Sequence, residues 1–172
     1  MTIAPAFAVQ MARYNAWQNA NLYGAAAGLT EAARRQDRGA FFGSIHDTLG
    51  HVLWADRMWL SRLTDAPAPS RDTARAGVPD IDWDALRDAR DRTDAEIHAW
   101  AEALTEADLD RDLTWRSGLS SAELTEPMPV IVIHLFNHQT HHRGQVHAML
   151  TAAGAVPHET DFAWLPDPKA RS

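Results

Sequence analysis

His138 and His142 are the residues whose type and spacing invite chemistry first. They lie in residues 129–150, a stretch that holds five of the chain's nine histidines: His134, His138, His141, His142 and His147. No proline follows Pro129 there, and the apolar residues recur at helical intervals. At about 100° of rotation per residue, His138 and His142 stand one turn apart, about 40° from each other on one face. Ile131 and Met149 share that stripe, with Leu135 and Val146 at its edge, so it should face the core. Two imidazoles at i and i+4 are how a helix offers two nitrogens to one metal ion. The plainer reading is a packed histidine cluster in which every buried ring finds a hydrogen-bond partner. The HxxxH pair lacks the glutamate of HExxH, so only a third ligand from elsewhere decides between the two. His134 and His141 flank the pair, and His147 projects from the opposite face toward solvent.

A third imidazole is available on a second helix. Residues 41–63 read as one amphipathic segment, in which Ser44, Thr48, His51, Ala55, Met58 and Trp59 form a stripe with His51 at its middle. Asp47 precedes His51 by one turn and could accept a hydrogen bond from its ring, as metal-bound imidazoles commonly require; a plain helix-face carboxylate is the alternative. His46 faces away and reads as a surface residue. Two further helices complete the set. One covers residues 5–28, with Phe7, Met11, Tyr14, Gln18, Asn21, Leu22 and Ala25 on one side and Gly28 as a stop. The other covers residues 82–104, with Trp83, Leu86, Ala89 or Arg90, Thr93, Ile97, Trp100 and Leu104 inward. Its Asp/Arg alternation reads as a solvated face, with His98 exposed beside it.

Between these helices the composition changes. Thr30 caps a short turn through Gln36, which Gly39 ends. Residues 65–81, rich in Pro, Ala, Asp and Gly, read as a surface loop. Residues 109–126 alternate with period two on both sides of a Ser117-Gly118 turn, the pattern of a small hairpin. Pro127 and Pro129 close it, and Gly154 stops the last helix. The Pro-rich tail carries Phe162, Trp164 and Leu165, which should bring it back onto the body. At 172 residues with no internal repeat, the chain reads as a single domain over 1–172. It has no cysteine, which excludes disulfides, thiolate metal sites and a cysteine nucleophile and suits a cytoplasmic protein. No apolar run reaches the length of a bilayer span and no signal peptide is evident, so no membrane role is expected. A net charge of −7 without a basic cluster beyond Arg34-Arg35 disfavours nucleic acid as a partner.

Four amphipathic helices and one hairpin predict an all-α four-helix bundle, and bundles build metal sites from side chains on facing helices. His51, His138 and His142 would supply three nitrogens and leave a fourth position for water or substrate, the pattern of a catalytic zinc site. His134 or His141 would instead close it as a structural site. The segments 48–63 (TLGHVLWADRMWLSRL) and 134–145 (HLFNHQTHHRGQ), with Tyr14-Asn15-Ala16-Trp17 and the hairpin, resemble the DinB/YfiT-like family over nearly the whole chain. The resemblance implies a metal-binding four-helix bundle, often dimeric, with His51, His138 and His142 as ligands. It also implies chemistry of the thiol-dependent transferase or isomerase kind, with a low-molecular-weight thiol as cosubstrate.

Three neutral ligands leave a divalent ion its charge, so it can acidify a bound water or thiol. The first reading is therefore an enzyme, a metal-dependent thiol S-transferase or hydrolase acting on a small electrophile. The second is a non-catalytic metal-binding or dimerising protein, and the third a metal-free histidine cluster. Imidazoles suit zinc or nickel first, then iron, manganese or copper. Asp47, Asp56, Arg143 and Gln145 lie near the ligands in sequence and are the candidate helpers, although Asp56 and Arg57 also read as surface charges.

Overall fold

Local signals set the helix ends. The computed structural model describes residues 2–73, 77–117 and 122–167. Pro5 opens α1 (Pro5–Ala27) at a position where an amide donor would find no partner, and Gly28 caps its end. Thr30 starts the short α2 (Glu31–Arg35) by accepting from the amide of Ala33. Ser44 caps α3 (Ile45–Leu63) and Asp82 caps α4 (Trp83–Ala103), each accepting from the amide three residues on. Thr105 and Asp108 form a capping box on α5 (Glu106–Leu109), a short helix the hydrophobic pattern does not announce. Strands β1 (Asp112–Arg116) and β2 (Glu123–Pro127) pair antiparallel, Thr114 opposite Thr125. The expected turn at Gly118 lies outside the described residues. Helix α6 (Met128–Ala152) follows, and Gly154, at φ +81°, ends it in the left-handed conformation.

Helix α1 packs on α4 and α6, and α3 packs on the same two, which sets α1 opposite α3. The molecule is an all-α four-helix bundle with a hairpin before its last helix, and the histidine-bearing α3 and α6 are neighbours. Among the described residues no helix is long and apolar enough to cross a membrane.

The interior has three levels. One apolar cluster joins Ala8, Ala12, Trp59, Ile97, Trp100, Ile131 and Leu135, with others of their level. A second joins Leu22, Ala26, Ile45, Leu49, Leu53, Leu86, Val146 and Leu150. Between them along every long helix lie buried polar residues: Asn15 and Asn19 on α1, Asp56 on α3, Arg90 and Asp94 on α4, Gln139 and Arg143 on α6. Arg90 donates to Asp56 at 2.6 Å and pairs with Asp94 at 2.9 Å. Asp94 also accepts from Asn15 and Asn19, Asp56 accepts from Gln139, and Arg143 donates to the side-chain oxygen of Asn15. Two carboxylates and two guanidiniums balance, as burial of charge requires.

This layer corrects three sequence expectations. The Asp/Arg face of α4 is not wholly solvated, because Arg90 and Asp94 turn inward. Asp56 is fully buried, not a surface charge, whereas Arg57 is exposed. The buried face of α1 runs through Ala8, Ala12, Asn15, Asn19, Leu22 and Ala26, while Phe7, Met11 and Tyr14 lie to its flank. Small alanines let α4 approach and the asparagines serve Asp94; of the expected stripe, Gln18, Asn21 and Leu22 are buried. The expected helix over 41–63 begins only at Ile45. Residues 40–43 form a tight turn, with Gly43 at φ +83°, that drops Phe42 into the interior. The tail does return to the body, but through its backbone: Tyr14, Gln18, Asn21 and Arg13 donate to the carbonyls of Thr160, Glu159, His158 and Pro166. Phe162 rests against Tyr14, whereas Trp164 remains 68% exposed.

Candidate metal centre

Helix geometry brings His138 and His142 to the α3 side of α6, and His51 faces them from α3. The three rings offer ligand atoms that all lie within 4.8 Å of one another. The Nε2 atoms of His51 and His138 are 3.3 Å apart, and the ring centroids of His138 and His142 are 4.6 Å apart. His51 and His138 are partly buried and His142 is buried.

The far nitrogens of two rings are already engaged. His51 Nδ1 lies 3.1 Å from the Gly77 carbonyl, which accepts only, so that nitrogen carries the proton and Nε2 is left with a lone pair. His142 Nδ1 lies 2.9 Å from Gln145 Oε1, with the same consequence. Such partners fix tautomer and ring direction in metal sites. Phe42 stacks on His51 with centroids 3.8 Å apart. Burial pushes the His51 ring down to about 4, with His142 adding to it and the Gly77 bond opposing. Burial likewise pushes His138 down to about 3, helped by His142 and His51. His142 is lowered by burial against the pull of Gln145. All three rings are therefore neutral at pH 7, the form that ligates. Three convergent, neutral, pre-oriented imidazole nitrogens fit a divalent cation.

Beside the rings opens a cleft of about 410 Å³ that His51 and His138 help to line. Trp54, Trp59 and Trp115 form much of its wall. His134 also borders it but turns to Trp59, with centroids 5.1 Å apart, and is exposed. His141 is exposed and meets Gln145. Among the described residues neither joins the three-histidine group, so a site closed by either is not what the geometry forms. His147 is partly buried, beside a hollow it lines with Thr160, where the expectation was a solvated ring, and His98 is partly exposed beside Glu102.

Of the candidate helpers, Gln145 reaches a ligand ring and the other three do not. Asp47 leans toward His46 Nδ1 at 3.7 Å, leaving the His51 partnership to Gly77. The helical stagger of four residues places Asp47 beside His51 in register, but the loop carbonyl occupies the space the ring points to. Asp56 and Arg143 belong to the buried polar layer. Burial raises the Asp56 carboxyl above its ordinary value while Arg90 and Gln139 draw it back. Arg143, deprived of water, falls to about 10. His46 is not a surface residue: α2 lays Arg35 over it, Nη2 at 3.3 Å from Nε2, and Trp83 lies on its flank. Gly77 and Phe42 are the contributors sequence reading missed. Their only sequence signals are a lone Gly in a Pro-rich loop and an aromatic pair just before a helix cap.

Protein DinB of Bacillus subtilis (strain 168) is 26% identical over 164 residues, 91% of either chain. No solved structure matches. The sequence profile of the DinB family matches residues 4–171, a span that takes in all four long helices, the hairpin and the three clustered histidines, and the chain belongs to that family.

Proposed function

We propose that the protein binds one divalent cation through Nε2 of His51, His138 and His142, zinc or nickel before iron, manganese or copper. On this reading it is a metal-dependent enzyme that directs a low-molecular-weight thiol, or water, at a small electrophile. The observation that carries the reading is the convergence of three neutral imidazoles, within 4.8 Å, beside a tryptophan-walled cleft. Held by these three residues, such an ion would supply Lewis-acid activation of a water or thiol. The chain's own residues do the rest. Gly77 and Gln145 hold the Nδ1 protons of His51 and His142, Phe42 backs His51, and the cleft wall limits water. The chain has no cysteine, so a sulfur nucleophile comes from outside.

The test has two stages. Protein purified without added metal is expected to hold about one metal per chain by elemental analysis, and His138→Ala to hold none. Metal-loaded protein should then consume a generic electrophile with one member of a panel of small thiols, and stripped protein should not. Metal content unchanged by His138→Ala would end the ligand assignment, and equal turnover by stripped protein would end the enzymatic one.

A further inference from the structure

The cleft beside the histidines is cationic on a chain that is acidic overall. The sequence has 23 Asp and Glu against 16 Lys and Arg, yet among the described residues no carboxylate lines the cleft. Arg62 and Arg71 do line it. Among the described residues neither guanidinium has a carboxylate at ion-pair distance. Elsewhere on the chain the buried guanidinium of Arg90 is matched to acids. Arg62 is held in place by aromatic rings, its guanidinium carbon 4.4 Å from the Trp59 centroid and 6.0 Å from that of Trp115. Arg71 is brought to the cleft by its loop, which Trp54 pins by donating to the Ser70 carbonyl at 2.7 Å. Burial lowers Arg62, and the nearby charge of Arg71 lowers it further, so the two cations oppose each other.

Two like charges facing one apolar cleft, with no counter-charge among the described residues, describe half of an ion pair. We infer that the cleft takes an organic carboxylate: the carboxylate engages Arg62 and Arg71, and an apolar or aromatic body lies against Trp54, Trp59 and Trp115. A planar guanidinium matches a carboxylate through two parallel N–H···O bonds, and tryptophan faces favour a flat apolar body. The inference rests on the proposed function only in making this ligand the one presented to the three histidines. Binding at the arginine end does not need the metal.

The test uses two probes of one shape, 4-phenylbutyrate and its neutral amide, titrated calorimetrically into metal-stripped full-length protein. Stripping removes the metal as a competing partner for the carboxylate and separates this test from that of metal binding. The carboxylate should bind about tenfold more tightly than the amide, and the preference should weaken with salt. Arg62→Met keeps the stem on Trp59 and removes the charge, and Arg71→Met changes only an exposed loop residue. Each should lose most of the preference with an unchanged circular dichroism spectrum, and Arg62→Lys should keep part of it. Equal affinity for the two probes, no detectable binding of the carboxylate, or a preference that survives both methionine variants would overturn the assignment.

Discussion

Gly77 offers a way to disturb the site without touching a ligand. It sits at φ +72°, with its carbonyl 3.1 Å from His51 Nδ1. A β-carbon there would lie 2.8 Å from Trp54 Cε3 and 2.9 Å from His51 Nδ1. Carbon atoms settle at about 3.5–4.0 Å from one another, so the loop has to move. Gly77→Ala therefore meets two penalties: about 1–2 kcal/mol for a side chain in left-handed backbone, and the contact itself. The movement that relieves the contact withdraws the acceptor that sets the His51 tautomer. Loss of such a partner weakens metal binding by about 10–100-fold, or about 1.4–2.7 kcal/mol. Gly39→Ala is the matched control. Gly39 has φ +76° and nothing within 4 Å of its added carbon, so it carries the backbone penalty alone. Zinc affinity, measured by competition with a chromophoric chelator, should fall 10–100-fold for Gly77→Ala and stay at the parent value for Gly39→Ala. The urea midpoint of stripped Gly39→Ala should fall by the backbone penalty alone, and that of stripped Gly77→Ala further by the cost of the contact. If both variants bind zinc as the parent does, the loop carbonyl has no part in holding His51.

Two other expectations concern the interior. Arg90→Met strands Asp56 and Asp94 and should cost about 3–5 kcal/mol in urea denaturation at pH 7, about 6–20 °C in melting temperature for a chain of this size. Asp94→Asn added to it restores charge balance and should recover part of the loss; strictly additive losses would refute the coupling. His46, lowered first by burial and then by Arg35, stays neutral in the folded state where the unfolded chain takes a proton. Its contribution to stability is thus complete above its ordinary value of about 6.5 and is lost as pH falls below it. The drop in melting temperature of stripped protein from pH 7.5 to 5.5 should be smaller in His46→Gln than in the parent, and an equal drop would place the titration elsewhere.

Why the three histidines were legible and the polar layer was not follows from the chemistry of each. His138 and His142 announce themselves because one helix carries both, and helical stagger alone aims them together. His51 followed because it occupies the middle of an otherwise conventional stripe. The four long helices were legible for the same reason, with Gly28 and Gly154 marking two of their ends, whereas Ser44, the cap of α3, read as part of a helix begun at residue 41. Asn15, Asn19 and Asp94 resist such reading because each looks like surface until its partner on another helix is known, and Arg90 reads inward only as an alternative to Ala89. Partnership across helices is a tertiary fact, and hydropathy scores a satisfied buried arginine as though it were in water. His46 misled for a related reason: what buries it is Arg35, from a five-residue helix whose packing no periodicity reveals. Gly77 belongs to a loop, where the sequence offers no period at all.

The polar layer and the histidine site depend on one alignment of α3 and α6. Gln139 donates to Asp56 at 2.8 Å, and Gln139 is the residue after His138. A slip of α6 by one turn would displace Gln139 by about 5.4 Å along the axis and take the donor from Oδ1 of Asp56, whose Oδ2 keeps Arg90 of α4. A buried acceptor stripped of its donor costs about 1–3 kcal/mol, whereas one leucine can replace another across an apolar seam at smaller penalty. The apolar clusters on either side of the layer therefore drive association, and the charged layer discriminates between registers. That same slip would carry His138 away from His51, whose ring is held from the other side by Gly77. The hydrogen bond that makes the slip unfavourable thus lies one residue from the imidazole that the slip would remove.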